Sequence, residues 1–332
     1  MCIQTSSSSF NRLFWLQCLL IPGLLSPTLA RLHLSPSLLD WPLDLLGHWQ
    51  WQYGLILFFC IMIQAAWNCK HKRHLSSVNS ATANRLISSL SLSLLICNFW
   101  IWPPQTAPAL IPAPAHPVRI ASFNANLHNT QTNNIHHWIS QQHIDIIALL
   151  EVTPAWQPAL YRLQQEYPYQ YQYLSEDPFG MVILSKYALR TPQFILTNTG
   201  IPYFTAQIPP LPGMPQTTAP IQLTVIHPMP PISQSDFDQR NDLFSKLANE
   251  NTQHPAIIMG DFNATVWSAG FGAFSHQGFA PTHGLKPTWT PLGGLPIDHI
   301  LINSSKLIVT NSGSGPALGS DHLPIWADVN WK

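Results

Sequence analysis

Nine polar side chains in the second half of the sequence are of the types used in acid–base and metal-ion catalysis, and each lies at or near the edge of an apolar run. They are Asn124, Asn126, Glu151, His227, Asp261, Asn263, Asp298, Asp321 and His322. Carboxylate and amide oxygens suit Mg²⁺ or Mn²⁺, and Mg²⁺ takes only one or two carboxylates from a protein. Because the ends of strands can aim such side chains into one cleft, the nine residues are candidates for a single site.

The spacing around three of these residues adds local support. Glu151 directly follows an apolar run, and it is the strongest candidate for a metal ligand; a surface acid after a strand is the alternative. Asp261 and Asn263 are two residues apart, so both can point into the cleft, and the preceding Gly260 permits a tight exit from a strand. Asp-x-Asn is also a common turn sequence.

Two further positions have alternative interpretations. His227 precedes Pro228, which disfavours helical geometry at the histidine and favours an extended backbone there. Arg240 lies in a predicted helix, where its guanidinium would either bind a phosphate as a fork or form a salt bridge on the helix surface. Trp267 and Trp289 are expected to pack in the core rather than to line a lipid or sugar pocket.

Six segments, in chain order, resemble the endonuclease/exonuclease/phosphatase superfamily. They read ASFNANLHN, IIALLEVTPAW, LTVIHPMPP, IIMGDFNATVWS, PIDHILI and GSDHLPIWADV, and the resemblance covers residues 118–332. It implies an α/β fold, a four-layer sandwich of two packed β-sheets flanked by helices. The variants HPMPPIS and GDFNATVWS, with apolar segments before them, are similar to the bacterial membrane-anchored branch, some members of which act on cell-wall lipid pyrophosphates.

The resemblance also implies a role for each candidate residue. Asn124 and Glu151 would hold Mg²⁺ or Mn²⁺, with Asp321 as an added carboxylate. Asn126 is a further candidate for this site. Some relatives carry Asp at this position, so Asn126 leaves the site with one negative charge fewer. Asp261 would orient or deprotonate the attacking water, and Asn263 would contact the phosphate. His322 with Asp298 would form an acid–base pair, and His227 would protonate the leaving group or bind the phosphate. Arg240 remains a further candidate for phosphate contact.

Seven short β-type runs predict strands, and most of them are continuously apolar, which suits burial on both faces because a strand with one exposed face would alternate apolar and polar residues. They cover residues 119–124, 144–150, 180–185, 221–227, 256–259, 297–303 and 325–329. Helices are predicted at residues 132–142, 155–166 and 236–249, the last of which opens with acids that suit a helix N-terminus.

The first 103 residues contain three apolar stretches, at residues 13–30, 54–67 and 86–102, which predict two or three transmembrane helices. The first stretch contains Pro22, Gly23 and Pro27 and is either a retained helix or a cleaved signal peptide. Residues 68–85 carry the densest basic cluster, so the positive-inside rule places that loop in the cytoplasm and the C-terminal half outside. A Pro/Ala-rich linker at residues 104–117 separates the membrane region from the catalytic domain at 118–332.

Charge and cysteine content limit the function of the catalytic half. Residues 1–103 have a net charge of +4 and residues 104–332 a net charge of −4. A mildly acidic domain argues against tight, unspecific binding to long nucleic acid, although it does not exclude a nuclease. All five cysteines precede residue 98, so the catalytic half has no thiol nucleophile and no internal disulfide.

Together these observations predict an integral membrane enzyme of the bacterial inner or plasma membrane, with its catalytic domain on the periplasmic or extracellular side. Its predicted reaction is metal-dependent hydrolysis of a phosphate or pyrophosphate ester, with a membrane lipid as the favoured substrate. An extracytoplasmic nuclease acting on DNA or RNA is the alternative. A non-catalytic binding module is a third reading, but such a module would have lost residues such as Glu151, Asp261 and His322, which are present here.

Overall fold

The computed structural model describes residues 5–31, 39–70, 78–100, 117–210, 218–303 and 305–331. The chain divides into two compact units. The first consists of Met1–Pro103 with the short segment Trp267–Ala269, and the second of Pro104–Val266 with Gly270–Lys332. The predicted linker lies outside the described residues except for Pro117, and so does most of the basic cluster, at residues 71–77.

The described residues of the first unit form four helices, which cover the three apolar stretches of the sequence up to Trp100. They are α1 (Thr5–Arg31), α2 (Asp40–Gly47), α3 (Gln50–Lys70) and α4 (Val78–Trp100). Helix α1 continues through Pro22 and Pro27, so these prolines do not end it.

The expectation of two or three membrane-spanning helices is too high for the part of the chain that the structure describes. Within it, one helix is long and apolar enough to cross a bilayer, over Arg12–Leu29, and a signal sequence or a core helix would pass the same test. Helices α3 and α4 are long enough but carry many polar residues. Gln52, Gln64 and Asn68 lie in α3, while serines and asparagines recur along α4, including Asn84 and Asn98.

Polar side chains lie inside the first unit. The Asn98 amide nitrogen donates to the side-chain oxygen of Gln50 and to the Leu24 carbonyl, both at 2.8 Å. The Ser88 hydroxyl lies 3.0 Å from the amide oxygen of Gln17 and 3.2 Å from that of Gln64. Large apolar residues are exposed on the same helices, among them Leu19, Leu55, Phe58, Phe59, Ile63 and Leu86. Leu20, Leu24 and Leu57 are buried as well, so the interior holds both polar and apolar side chains, while the exposed surface is more apolar than that of a typical helical unit in water.

The second unit consists of two six-stranded sheets. The strand order of the first sheet is β11-β12-β1-β2-β4-β3, and that of the second is β5-β6-β7-β8-β10-β9. The strands are β1 (Val118–Asn124), β2 (Ile146–Leu150), β3 (Tyr169–Tyr173), β4 (Met181–Ser185), β5 (Arg190–Leu196), β6 (Pro202–Ile208), β7 (Ile221–Ile226), β8 (Ala256–Asp261), β9 (Phe279–Pro281), β10 (Asp298–Asn303), β11 (Leu307–Ser314) and β12 (Ile325–Trp331).

Each sheet has one parallel pair at its centre, β1 with β2 and β7 with β8, and the other pairs are antiparallel. Alternate residues of β1 enter different cores. Val118 and Ile120 join a cluster with residues of the second sheet, while Ala121 and Phe123 pack with the helices on the outer side. Burial on both faces also explains why the neighbouring strand β2 (IIALL) is apolar throughout.

Four helices accompany the sheets: α5 (Thr132–Gln141), α6 (Gln157–Leu163), α7 (Gln234–Glu250) and α8 (Gly272–His276). Helix α7 begins after Ser233, whose hydroxyl oxygen accepts a hydrogen bond from the Asp236 backbone N–H at 3.2 Å. Such a cap satisfies a backbone donor that the first turn leaves unpaired. The structure confirms the predicted α/β sandwich of two packed sheets flanked by helices.

Candidate active site

The candidate residues lie at neighbouring strand ends of the two sheets. Asn124 is the last residue of β1, and Glu151 directly follows the parallel strand β2. In the second sheet, Asp261 ends β8 and pairs in register with Asp298, the first residue of the antiparallel strand β10. His227 directly follows β7, which runs parallel to β8. Both sheets therefore contribute side chains to one site.

Asn124 links the carboxylates of the two sheets. Its amide nitrogen lies 2.8 Å from Oε1 of Glu151 and 3.1 Å from Oδ2 of Asp261. The second oxygen of Glu151 accepts the backbone N–H of Leu127 at 2.9 Å. In this arrangement Asn124 presents its nitrogen, not its oxygen, to the two acids, so ligation of a cation through its oxygen would require the amide to turn over.

His322 is held between two carboxylates. Its Nδ1 lies 2.8 Å from Oδ2 of Asp298, and its Nε2 lies 3.7 Å from Oδ2 of Asp261. Burial opposes a charge on the imidazole, but the carboxylates of Asp298 and Asp261 outweigh burial and raise the pKa of His322 to about 10. The carboxylates therefore favour the protonated imidazole, whose orientation Asp298 fixes through its hydrogen bond.

His227 approaches the same carboxylate from another direction. Its Nε2 lies 3.7 Å from Oδ2 of Asp261 and 3.9 Å from Oε1 of Glu151, which is too long for a hydrogen bond. The ring of Phe179 lies with its centroid 6.0 Å from that of the imidazole. His227 is buried, and its Nδ1 accepts or donates no hydrogen bond within the described part of the chain.

Asn263 is fixed by contacts at both ends of the residue. Its backbone N–H donates to Oδ1 of Asp261 at 2.8 Å, and its amide nitrogen donates to the Pro228 carbonyl at 3.0 Å. Its own carbonyl accepts a hydrogen bond from Nη1 of Arg240 at 2.8 Å. Arg240 is 1% exposed, so the structure contradicts the expectation of a salt bridge on the helix surface. Its guanidinium instead supports the loop that carries Asn263.

The Asp321 carboxylate accepts hydrogen bonds from two side chains. The amide nitrogen of Asn126 lies 2.8 Å from Oδ1, and the indole nitrogen of Trp289 lies 3.0 Å from Oδ2. Burial favours the neutral acid, but the hydrogen bond from Asn126, the nearby His322 and the indole N–H together lower the pKa of Asp321. Asn126 thus occupies the position where a second acid would face Asp321.

All nine predicted residues lie in or beside this site, and several supporting residues were not predicted. The Ser320 hydroxyl donates to the Asn124 carbonyl at 2.8 Å and accepts the His322 backbone N–H at 2.9 Å. The Thr288 hydroxyl accepts the backbone N–H of Asp298 at 3.1 Å. Trp289, expected to pack in the core, holds Asp321 instead. Thr288 could not be predicted from the sequence, because it belongs to no recognisable motif and its spacing from Asp298 is not characteristic.

The donor set fits a hard divalent cation. Ligand atoms of Asp261, Asp298 and His322 lie within 4.8 Å of one another, and Glu151 is joined to the same group through Asn124. Carboxylate and amide oxygens predominate, and the five cysteines all lie in the first 97 residues, far along the chain from these donors. Such a set is typical of Mg²⁺ or Mn²⁺ and untypical of a structural zinc site.

The family model described as Endonuclease/Exonuclease/phosphatase family matches residues 121–322. The match spans more than half of the chain, so the chain belongs to this family. It is a hydrolase of phosphoester bonds, and enzymes of the family depend on divalent metal ions. No curated protein sequence matches the chain.

Solved structures with the same fold share little sequence with the chain. Humanized TDP2 from D. rerio is 16% identical, with a TM-score of 0.53 over 64% of this chain and 98% of that one. The 3′ phosphatase NExo from Neisseria, bound to product DNA hairpin, is 16% identical, with a TM-score of 0.52 over 64% and 100% of the two chains. An endonuclease/exonuclease/phosphatase from Beutenbergia cavernae is 15% identical, with a TM-score of 0.54 over 64% and 71%.

Proposed function

We propose that this chain is a membrane-anchored hydrolase that cleaves a phosphate or pyrophosphate ester of a membrane lipid at the outer face of a bacterial membrane. The observation that carries the catalytic part is the convergence on Oδ2 of Asp261. Nε2 of His227 and Nε2 of His322 both lie 3.7 Å from that one oxygen. A water bound there would be flanked by a carboxylate and by two imidazoles that can donate protons or bind a phosphate.

In the proposed mechanism, Asp261 orients the attacking water and accepts its proton. Asn263, whose position is fixed by Asp261, Pro228 and Arg240, donates its amide N–H to a phosphate oxygen. The charged His322, supported by Asp298, stabilises negative charge on the phosphate, because a cationic donor strengthens as that charge grows. His227 donates a proton to the leaving oxygen.

Glu151 and Asn124 are proposed to hold the metal ion, with Asp321 as an additional acid. Bound there, Mg²⁺ or Mn²⁺ would neutralise charge on the phosphate oxygens and lower the pKa of a bound water. Asn124 is the residue whose amide must turn over for this role. Asn126 keeps Asp321 in place through its hydrogen bond and is proposed to act as a support rather than as a ligand.

The membrane part of the proposal rests on the apolar exterior of the first unit and on the polar side chains that hydrogen-bond inside it. Asn98, Gln50, Gln17 and Gln64 hydrogen-bond within it, while residues such as Phe59 (60% exposed) face outward. Hydrocarbon favours this arrangement because it cannot satisfy polar side chains but solvates apolar ones. The basic cluster of residues 68–85 supports a cytoplasmic position for that loop, and the outer position of the catalytic unit is the part of the proposal that its accessibility to protease tests.

A lipid-linked substrate is favoured because an anchor confines the enzyme to the surface on which such a substrate lies. A nuclease is the second candidate, and one observation favours it: the solved structure of NExo, which has the same fold, is described as bound to product DNA hairpin. The net charge of −4 on residues 104–332 weighs against strong binding of long nucleic acid.

The test is product release by the full-length chain in detergent with Mg²⁺ or Mn²⁺. The panel contains a polyprenyl pyrophosphate, a sphingomyelin-type diester, single-stranded DNA and RNA, with Asp261→Asn and His322→Gln as controls. Release of phosphate from the pyrophosphate alone, abolished by both substitutions, would support the proposal. Cleavage of nucleic acid alone would replace it with the nuclease. Inactivity of a folded, metal-loaded protein on the whole panel would argue against both.

A further inference from the structure

A cavity of about 190 Å³ lies in the second unit, and two of its lining residues, Pro228 and Arg240, contact Asn263 of the active site. Its walls come from the connection between β5 and β6 (Leu196 to Ile201), from Pro228 and Met229, and from one face of helix α7. Pro228 directly follows His227, so this cavity begins one residue from a proposed catalytic group. Neither the motifs of the sequence nor the proposed mechanism uses it.

The cavity is connected to the reacting groups by two hydrogen bonds. The carbonyl of Pro228, which lines the cavity, accepts the amide N–H of Asn263 at 3.0 Å. Arg240, which also lines it, donates to the Asn263 carbonyl at 2.8 Å. A group bound in the cavity would therefore lie next to the residue proposed to contact the phosphate, where a substituent of that phosphate would be placed.

The lining combines apolar surface with acceptors for hydroxyl groups. Leu196, Ile201, Met229 and Leu243 supply the apolar part. Around them lie the polar side chains of Thr197, Asn198, Thr199 and Gln239. This mixture suits a ring that has an apolar face and a hydroxyl-bearing edge.

The formal charges of the lining balance. Asp236 and the exposed Asp242 contribute two carboxylates. Two cations match them: Lys246, whose Nζ lies 3.0 Å from the Tyr203 hydroxyl, and Arg240, which donates to the Asn263 carbonyl. A lining without net charge does not attract an ion, and its carboxylates accept hydrogen bonds from hydroxyls, so a neutral occupant with hydroxyl groups is favoured.

The size of the cavity restricts the occupant further. Pockets for drug-sized ligands typically measure about 300–1,000 Å³, and this cavity, at about 190 Å³, is smaller. We infer that it is a specificity subsite for one neutral polyhydroxylated ring, of the size of a hexose, attached to the phosphate that the active site attacks. The inference rests on the proposed function and deepens it by naming the group beside the scissile bond.

The test compares two synthetic diesters that share the p-nitrophenolate leaving group, one with glucose and one with methanol as the second ester. The full-length chain in detergent with Mg²⁺ is assayed on both. We expect kcat/KM to favour the glucosyl diester about tenfold or more, because charge-assisted hydrogen bonds to hydroxyls contribute at least that factor. Asp242→Asn should remove most of this preference and leave hydrolysis of the methyl diester unchanged.

Helix α7 supplies a matched control. Asp238 lies one turn before Asp242 on the same helix, is also exposed, and does not line the cavity. Asp238→Asn should keep the preference. Leu196→Arg, at a residue that is 55% exposed, should obstruct the cavity and remove the preference without disturbing the fold. Equal effects of Asp242→Asn and Asp238→Asn would overturn the inference, as would equal wild-type rates on both diesters or a preference for a thymidine 5′ diester over the glucosyl diester.

The proposed function and the subsite fail in different ways. Hydrolysis of the methyl diester depends on the active site alone, and Asp261→Asn should abolish it. If neither diester is hydrolysed, calorimetry with glucose 1-phosphate and with methyl phosphate still tests the cavity. Tighter binding of glucose 1-phosphate that is weakened by Asp242→Asn, and not by Asp238→Asn, would support the subsite; equal binding of the two phosphates would overturn it.

Discussion

Three active-site residues hold backbone conformations that L-amino acids rarely adopt. The φ angles are +68° at Asn126, +58° at Glu151 and +47° at Asn263. Asparagine tolerates this region, but glutamate does so less readily, and a residue held there costs about 1–3 kcal/mol. The conformation at Glu151 turns the chain immediately after β2, which brings its carboxylate to Asn124. The strained backbone conformations are therefore found where the active-site carboxylates come close together.

Gly260 lies in a position that excludes any side chain. Its φ is +141°, and a Cβ atom there would collide with the Ile226 carbonyl of the neighbouring strand. Gly260→Ala should lower the free energy of unfolding by roughly 2–4 kcal/mol, because both the backbone and the close approach of β7 are affected. Chemical denaturation of the full-length chain measures this.

Gly272, in helix α8, provides the comparison for that substitution. Apart from its chain neighbours and the backbone of its own helix, no described atom lies within 4 Å of a Cβ built there, so Gly272→Ala should leave stability unchanged or raise it slightly. Similar destabilisation by both substitutions would contradict the steric explanation for Gly260.

Asp298→Asn should uncouple His322 from its carboxylate. Burial would then oppose the charged imidazole with only Asp261 and Asp321 to favour it, so the pKa of His322 should fall from about 10 toward its ordinary value. In the proposed mechanism, activity falls on the order of 10²–10⁴-fold, as expected when a histidine loses the carboxylate that orients it.

An NMR titration of the imidazole in the presence of a chelator checks the pKa, and assays from pH 6 to pH 9 check the rate. An unchanged pKa in Asp298→Asn would show that Asp298 does not control the charge of His322.

The sequence predicted the central residues of the site but not the contacts that hold them. Asp261, Asn263 and His322 follow strands or turns with recognisable patterns. Thr288 and the support from Arg240 to the Asn263 loop depend on long-range packing, which leaves no local pattern. Asn126 was expected near the metal ion, and its amide donates to Asp321, a contact that only the geometry defines.

At the level of elements, the sequence predicted the strands with two buried faces and missed those at sheet edges. All seven predicted strands are present, with ends that differ by a few residues. The five that were not predicted are β3, β5, β6, β9 and β11, of which all but β6 lie at the edges of their sheets. An edge strand such as β3 (YQYQY) has polar residues and partial exposure, so hydrophobic periodicity does not distinguish it from a loop.

Two histidines with buried ring nitrogens, at or beside strand β10, make the stability of this part of the second sheet depend on pH. His299 lies on β10, and the His283 ring centroid lies 5.8 Å from it. Both ring nitrogens of His283 are buried, although the residue as a whole is only partly buried. Burial lowers the pKa of His283 to about 4, and burial together with His283 lowers the pKa of His299 to about 3.

The unfolded chain binds protons on these histidines near pH 6.5, whereas the folded chain does so only near pH 4 and below. Stability should therefore be complete above about pH 6.5 and decrease as the pH falls toward 4, with His283 contributing roughly 3 kcal/mol of that loss. His283→Gln should flatten the dependence, as measured by urea unfolding between pH 4 and pH 7. His137→Gln, at an exposed histidine, should not.

For the whole molecule, the polarity of the first unit predicts firm insertion in a bilayer. The full-length chain should stay in the membrane fraction after washing with high salt and with alkaline carbonate, because residues such as Phe58 and Leu86 would be transferred to water on release. Protease added outside intact spheroplasts should cleave the catalytic unit. Release by carbonate would argue against insertion, and protection from protease would reverse the proposed orientation.

The hydrogen bonds of Asn124 cross between the two sheets, since Glu151 follows β2 of one sheet and Asp261 ends β8 of the other. The active site thus lies at the interface between the two sheets, and neither sheet alone carries all of its residues. Any motion that parts the sheets also dismantles the site. Hydrolytic activity should consequently disappear together with the fold during denaturation, and a compact state that has separated its sheets should already be inactive.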